Sequence, residues 1–282
     1  MARVTKVWGL PRSTYYLARE RRARPRTPGR RGLRRISDEA LVAEIRQVID
    51  TTVFSEGYRK VWARLRHKGV RVWKERVLRL MREHGLLSPH RLAAITPEYS
   101  HDGTITAELP DRVWGTDATE AVTDQDGQVT VFAAIDHCTA ECVGIHVVKK
   151  AHRFEALEPI RQGVREHFGG FSGGIAAALC LRHDHGSVYM SHDFQSEVAF
   201  LGILSSPSFI RQPEGNGCIK RFFRTLEEQL LWIRRFPDLD TLRMALQDFL
   251  ERYKQSWILQ RLAYETPAQA RRGFLLAMPS AA

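Results

Sequence analysis

Two aspartates stand where carboxylates can hold a divalent cation. Asp117 falls inside a strand-like run, Trp114-Gly115-Thr116-Asp117-Ala118-Thr119. Asp184 falls just past a second such run, in Leu181-Arg182-His183-Asp184-His185-Gly186-Ser187. Carboxylates carried on strands of one mixed sheet can converge on a hard cation, which prefers oxygen ligands. Taken singly, each reads equally well as a turn or cap residue. The flanking histidines, His183 and His185, suit orienting and packing roles, with contact to phosphate or metal the alternative.

The elements around the two aspartates read as an α/β domain. Three strand-like runs over 112–123, 129–136 and 142–148 come first, and Asp124-Gln125-Asp126-Gly127 supplies a hairpin turn. A helix over about 152–168 follows, then a strand over 178–183, a helix from Asp193 and a short strand over 205–211. A helix from Asn216 to about Trp232 and an amphipathic helix from Leu239 to about Tyr253 complete the pattern. Consecutive strands followed by alternating helices and strands predict a mixed sheet flanked by helices.

Charge separates the chain into parts. The 282 residues carry a net charge of +11, yet residues 1–35 alone hold 12 Lys/Arg against the single acid Glu20. Residues 36–93 hold 12 basic and 7 acidic residues, whereas 94–282 hold 19 basic and 24 acidic ones. A DNA-contacting arm joined to an acidic body would segregate charge in this way; the alternative is a solubilising tail. Residues 17–35 combine Arg with Pro and Gly and read as an extended basic linker. Before them, Leu10 to Tyr16 reads as the end of a helical unit that begins upstream.

Ser37 precedes Asp38 and Glu39 as a helix start, with Leu41, Val42, Ile45, Val48 and Ile49 on one face. Tyr58, Val61, Trp62 and Leu65 then follow helical spacing up to a glycine stop at Gly69, and Val77, Leu80, Met81 and His84 repeat it up to Gly85. The second helix shows Lys74, Arg79 and Arg82 on its outer face, with Arg76 beside them. Two short helices, a glycine turn and a basic second helix predict a helix-turn-helix over 36–93 that binds DNA. A helical hairpin with a generically charged face is the other reading. A polar linker over 94–110 separates it from a core over 111–235, with a C-terminal helix and tail over 236–282.

Trp-x-x-Asp-x-Thr, His-Asp-His-Gly-Ser, and Pro213-Glu214-Gly215-Asn216-Gly217-Cys218-Ile219 leading into Arg221-Phe222-Phe223-Arg224 resemble the integrase core of bacterial insertion-sequence transposases, which are similar to retroviral integrases. The helix pair over 56–87 resembles the DNA-binding segment ahead of that core, and Leu262-Ala263-Tyr264-Glu265-Thr266-Pro267 the motif behind it. The resemblance spans nearly the whole chain from about Tyr15. It implies an RNase H-like fold, an Asp-Asp-Glu triad binding two Mg²⁺ or Mn²⁺ ions, double-stranded DNA (element ends and target) as substrate, and a homo-oligomer assembled on it. Arg221 and Arg224 are further candidates for phosphate contact. Gly215 and Gly217 would ease backbone entry near DNA, or simply form a loop.

One position departs from the pattern. The family separates its second Asp and its Glu by thirty-five residues; that spacing from Asp184, and the flanking motif, both land on Lys220. Two ions that activate an attacking oxygen and stabilise a leaving one need several anionic ligands. An ammonium removes a ligand and sets a positive charge beside the cations. In a metal-free site Lys220 would pair with Asp117 or Asp184, which predicts impaired cleavage and strand transfer. Glu227 lies roughly 10 Å further along the helix, Glu228 points elsewhere, and Glu214 in the Gly-rich loop is the remaining substitute. The alternative function is a non-catalytic DNA-binding protein derived from a transposase; a repressor from an unrelated family would explain residues 1–93 but not the core motifs.

No run approaches the roughly 20 apolar residues of a membrane helix, and the N-terminus does not read as a signal peptide. Cys138, Cys142, Cys180 and Cys218 show no zinc-ligand spacing. Reduced cysteines in a cytoplasmic, nucleoid-associated protein are the expectation.

Overall fold

The computed structural model describes residues 36–88, 107–207 and 216–277. The basic arm over 1–35, Glu214, most of the 94–110 linker and the end of the strand expected over 205–211 lie outside the described residues. Two compact units divide the chain, Met1–Ala43 and Glu44–Ala282, and the boundary falls inside helix α1 (Asp38–Thr51). In the first unit the Ser37 hydroxyl accepts the Ala40 amide at 3.2 Å, which caps the helix where the sequence places its start.

The second unit begins with the rest of α1 and the predicted helix pair. Helix α2 (Tyr58–His67) buries Val61, Ala63 and Leu65, and α3 (Lys74–Glu83) buries Val77, Leu80 and Met81. Each closes through a left-handed glycine, Gly69 at φ 86° and Gly85 at φ 65°. At each stop the next amide reaches back to the last turn, Val70 to Leu65 and Leu86 to Met81, at 2.9 and 2.8 Å. His84 corrects the sequence reading. It caps α3 with non-helical backbone and is exposed, so the helical period stops one residue before it.

Five strands form one mixed sheet in the order β3-β2-β1-β4-β5. They are β1 (Val113–Thr123), β2 (Gly127–Asp136), β3 (Cys142–Val148), β4 (Cys180–His183) and β5 (Leu204–Pro207). The first three are antiparallel neighbours, while β1, β4 and β5 run parallel. Strand β2 is buried on both faces, so Val-Phe-Ala-Ala-Ile reads as a continuous apolar run. Phe132 and Ala134 face α4 (Arg153–Phe168) and α5 (His192–Phe200) with Leu157, Ile160 and Phe194. Val131, Ala133 and Ile135 face α6 (Gly217–Leu226) and α7 (Leu239–Ser256) with Phe222, Leu246 and Phe249.

Two elements differ from the sequence reading. The helix expected to about Trp232 is α-helical only to Leu226, and Glu227–Leu231 continues as a π-helical turn. The expected C-terminal tail contains another helix, α8 (Pro267–Ala277). Thr266 accepts the Gln269 amide at 3.2 Å while the Gln269 side chain accepts the Thr266 amide at 2.9 Å. That reciprocal cap, with Pro267 as the first helical residue, is a helix-start signal written in Thr-Pro-Ala-Gln.

Helix α2 and the segment just before it contact the end of α7. Phe54 meets Phe249 and Trp257 edge-on, with ring centroids 5.8 and 5.0 Å apart. Arg64 forks onto Glu56 at 2.6 and 2.7 Å and also donates to the Ser256 carbonyl at 2.8 Å. None of the helices among the described residues is long and apolar enough to cross a membrane.

Candidate active site

Both predicted aspartates lie just past the paired stretch of the neighbouring strands β1 and β4. In the parallel β1–β4 pairing Val113 lies opposite Cys180, Trp114 opposite Leu181 and Gly115 opposite Arg182. Asp117 stands two residues past that pairing on β1, and Asp184 two residues past it, just beyond the end of β4. Asp117 is half-buried and its Oδ1 accepts the Ala118 amide at 2.9 Å. Burial pushes its carboxyl above the ordinary 3.8, with the Asp184 charge adding to the rise and the Ala118 amide and Lys220 opposing it. One aspartate therefore feels both of the other predicted site residues.

Asp184 is exposed, and its Oδ1 accepts the Gly186 amide at 2.8 Å. That turn curls the chain away from β4. A Cβ on Gly186 would sit 2.8 Å from the same oxygen, which accounts for the glycine after His185. His183 is buried and built into the wall beneath. A carbonyl can only accept, so Nδ1–H donates to the Asp184 carbonyl at 2.7 Å, leaving Nε2 to accept the Ser205 hydroxyl at 2.9 Å. Its ring stacks on Tyr189 with centroids 5.6 Å apart. Burial lowers its pKa, so a neutral orienting role fits the geometry. His185 is exposed.

The third position is set by a residue the sequence reading gave no role. Asn216, 2% exposed, donates from Nδ2 to the Thr116 carbonyl at 3.0 Å. It ties the start of α6 to β1 at the residue before Asp117. Gly115 makes room for it, because a Cβ there would lie 3.0 Å from Asn216 Oδ1 and 2.6 Å from the His137 ring. Lys220 follows one turn along α6. It is exposed and, among the described residues, forms no direct ion pair with Asp117 or Asp184. The expected pairing is thus replaced by a through-space influence on Asp117. A long aliphatic stem lets the ammonium stay hydrated instead.

Glu227 is placed by a contact rather than by helical spacing. The Thr119 hydroxyl donates to its Oε1 at 2.7 Å, and Thr119 lies on the same face of β1 as Asp117, two residues on. Glu228 turns to Arg224 at 2.8 Å. Arg221 and Arg224 are both exposed on α6. On α3, Lys74, Arg79 and Arg82 are exposed and Arg76 is half-buried; Arg79 forks onto Glu83 at 3.0 and 2.9 Å. The cysteines are free thiols.

Residues 26–93 match the family described as an HTH-like domain. Over 246 residues the chain is 26% identical to the InsD transposase of insertion element IS2A/D/F/H/I/K from Escherichia coli, covering 86% of this chain and 81% of that one. The InsD transposase of IS2-9 from strain K12 is 26% identical, with 86% and 79% covered. This chain is similar to insertion-sequence transposases. Its fold is shared with a chain of the simian T-cell lymphotropic virus intasome, solved in complex with PP2A regulatory subunit B56 gamma. That match has a TM-score of 0.50 at 15% identity and covers 85% of this chain and 76% of the other. The core of this chain is an RNase H-like mixed sheet flanked by helices.

The donor set does not fit a two-ion centre. Asp117 and Asp184 offer carboxylate oxygens that suit one divalent cation, but the third place holds an ammonium, which neither ligates nor neutralises. A separate trio, Glu141, Glu166 and His167, brings three potential ligand atoms within 4.8 Å of one another. Cations of the protein already occupy it: Lys254 lies 3.5 Å from both glutamates, and Arg271 pairs with Glu141.

Proposed function

We propose that this chain binds double-stranded DNA as a transposase-type protein whose metal-dependent cleavage and strand transfer are impaired by Lys220. The observation that supports this reading is that Asp117 feels the charges of both Asp184 and Lys220, the latter on a helix anchored to β1 by Asn216. The names of its relatives support the DNA-rearranging ancestry. Mg²⁺ or Mn²⁺ binding at the two aspartates is weakened, because Lys220 repels a cation there and supplies no oxygen.

The domain reading is a basic arm over 1–35, a helix-turn-helix over 36–93, a linker over 94–110, a core over 111–235 and a C-terminal segment over 236–282. The arm and the basic residues of α3, with Arg221 and Arg224 on α6, contact phosphates of element ends and target. Paired ends require a multimer, and the place of work is the nucleoid in the cytoplasm. The same lysine favours a second reading, a non-catalytic DNA-binding protein that occupies element ends.

Strand transfer with Mg²⁺ or Mn²⁺ tests the proposal, comparing the chain with Lys220→Glu and with Lys220→Glu/Asp184→Ala. Restored transfer in the first variant, abolished again in the second, is expected. Full activity of the unaltered chain that survives Asp184→Ala would refute the assignment of the site.

A further inference from the structure

The start of α3 carries a side chain that neither folding nor capping explains. Trp73 is 82% exposed, more than any other large apolar residue among the described ones. It occupies the N-cap, where Ser, Thr, Asp and Asn are preferred, and makes no side-chain cap hydrogen bond. Its indole is large enough to bury about 150–250 Å², and in the protein nearly all of it faces water.

The backbone beneath it is held firmly. The Trp62 indole N–H donates to the Val72 carbonyl at 2.9 Å. The Trp73 carbonyl accepts the Arg76 and Val77 amides at 3.1 and 3.3 Å. An exposed aromatic on a fixed mount loses little conformational freedom when a partner covers it, since only two side-chain torsions remain to be ordered. Arg71 and Lys74 flank it, both exposed, and Arg79 and Arg82 continue the basic face along α3. The partner that matches a basic rim around an apolar ring is a polyanion with apolar groups in its grooves. Duplex DNA has both: phosphates along its edges and thymine 5-methyl groups on the floor of the major groove.

We infer that Trp73 is the base-reading contact of the helix-turn-helix, its ring lying against a thymine methyl while Lys74 and Arg82 meet phosphates. The inference rests on the DNA-binding reading above and deepens it by assigning sequence preference to an apolar contact. The N-terminal residues of the second helix of such a unit approach base edges, and Trp73 stands at that end.

The experiment uses the full chain with Trp73→Ala and Trp73→Phe. Preferred duplexes are selected by the unaltered chain from a randomised pool about two helical turns long. Binding is then measured with each thymine replaced in turn by deoxyuridine, which lacks only the methyl. At one or two positions the replacement weakens the unaltered chain by about fourfold, the worth of one buried methyl. Trp73→Phe keeps that sensitivity and Trp73→Ala loses it, while the salt dependence of binding is the same in all three. If Trp73→Ala selects the same duplex with the same deoxyuridine profile, the inference is overturned while DNA binding stands. Salt-independent or absent binding by the unaltered chain overturns both. Because Trp73 supports no core, equal thermal unfolding of the variants accompanies the expected result.

Discussion

Removing Arg271 should loosen the sheet from its C-terminal end. Arg271, on α8, donates to both carboxylate oxygens of Asp111 at 2.6 and 3.0 Å and also to Glu141. The three side chains are 11%, 22% and 7% exposed, so solvent screens them little. Breaking such a buried pair by removing one partner costs roughly 3–5 kcal/mol. Glu141 would keep Lys254 at 3.5 Å and Asp111 would keep the Trp114 indole at 3.1 Å, so the lower end applies, about 3 kcal/mol. For a chain of this size that is a fall in Tm of about 5 °C, read by circular dichroism at pH 7. Burial raises the Asp111 carboxyl, but Arg271 outweighs it and the net shift is downward from 3.8. The depressed group contributes fully above 3.8 and loses that contribution as pH falls through its lower folded value. The gap between Arg271→Ala and the unaltered chain should therefore narrow below pH 3.8. A Tm loss under about 2 °C at pH 7, or a gap that widens in acid, would refute the reasoning.

Asn216→Ala removes the amide donor to Thr116 and should cost about 1–3 kcal/mol; hydrogen exchange of the α6 amides should quicken first, and unchanged protection would mean the helix is held elsewhere. Arg64→Ala leaves Glu56, whose side chain is 1% exposed, without its partner and should cost about 3 kcal/mol in urea unfolding. Adding Glu56→Gln should recover part of that loss, and no recovery would count against a charge effect. Deleting residues 1–35 should flatten the dependence of DNA affinity on salt, by about 0.9 in log–log slope for each phosphate that the arm neutralises. An unchanged slope would exclude the arm from the DNA backbone.

Much of this fold follows from local pattern. The glycine stops at Gly69 and Gly85, the Ser37 cap and the strand-like run of β1 are short-range features, and each sits within a residue or two of its expected place. The nearness of Asp117 and Asp184 was legible only through the resemblance, because the pairing of distant parallel strands is decided by packing on both faces. Asn216 and Glu227 were hidden for a related reason: their partners, Thr116 and Thr119, lie 100 and 108 residues away. The helix over Pro267–Ala277 was legible after all, since Thr266, Pro267 and Gln269 spell its start. His84 misled because an unbroken helical period carries no sign of where the backbone turns out of it.

The contact of α2 with the end of α7 has a mechanical consequence. Phe54 packed against Phe249 and Trp257, and Arg64 donating to the Ser256 carbonyl, tie α2 and the segment before it to the end of α7. A load applied to α3 by the proposed duplex would pass through α2 into the end of α7. From there it would reach the sheet through Leu246 and Phe249, which pack in one cluster with Ala133 and Ile135 of the strand beside β1. On the proposed DNA-binding reading, a twist of a duplex held at α3 would therefore be felt at the strand next to the one that carries Asp117.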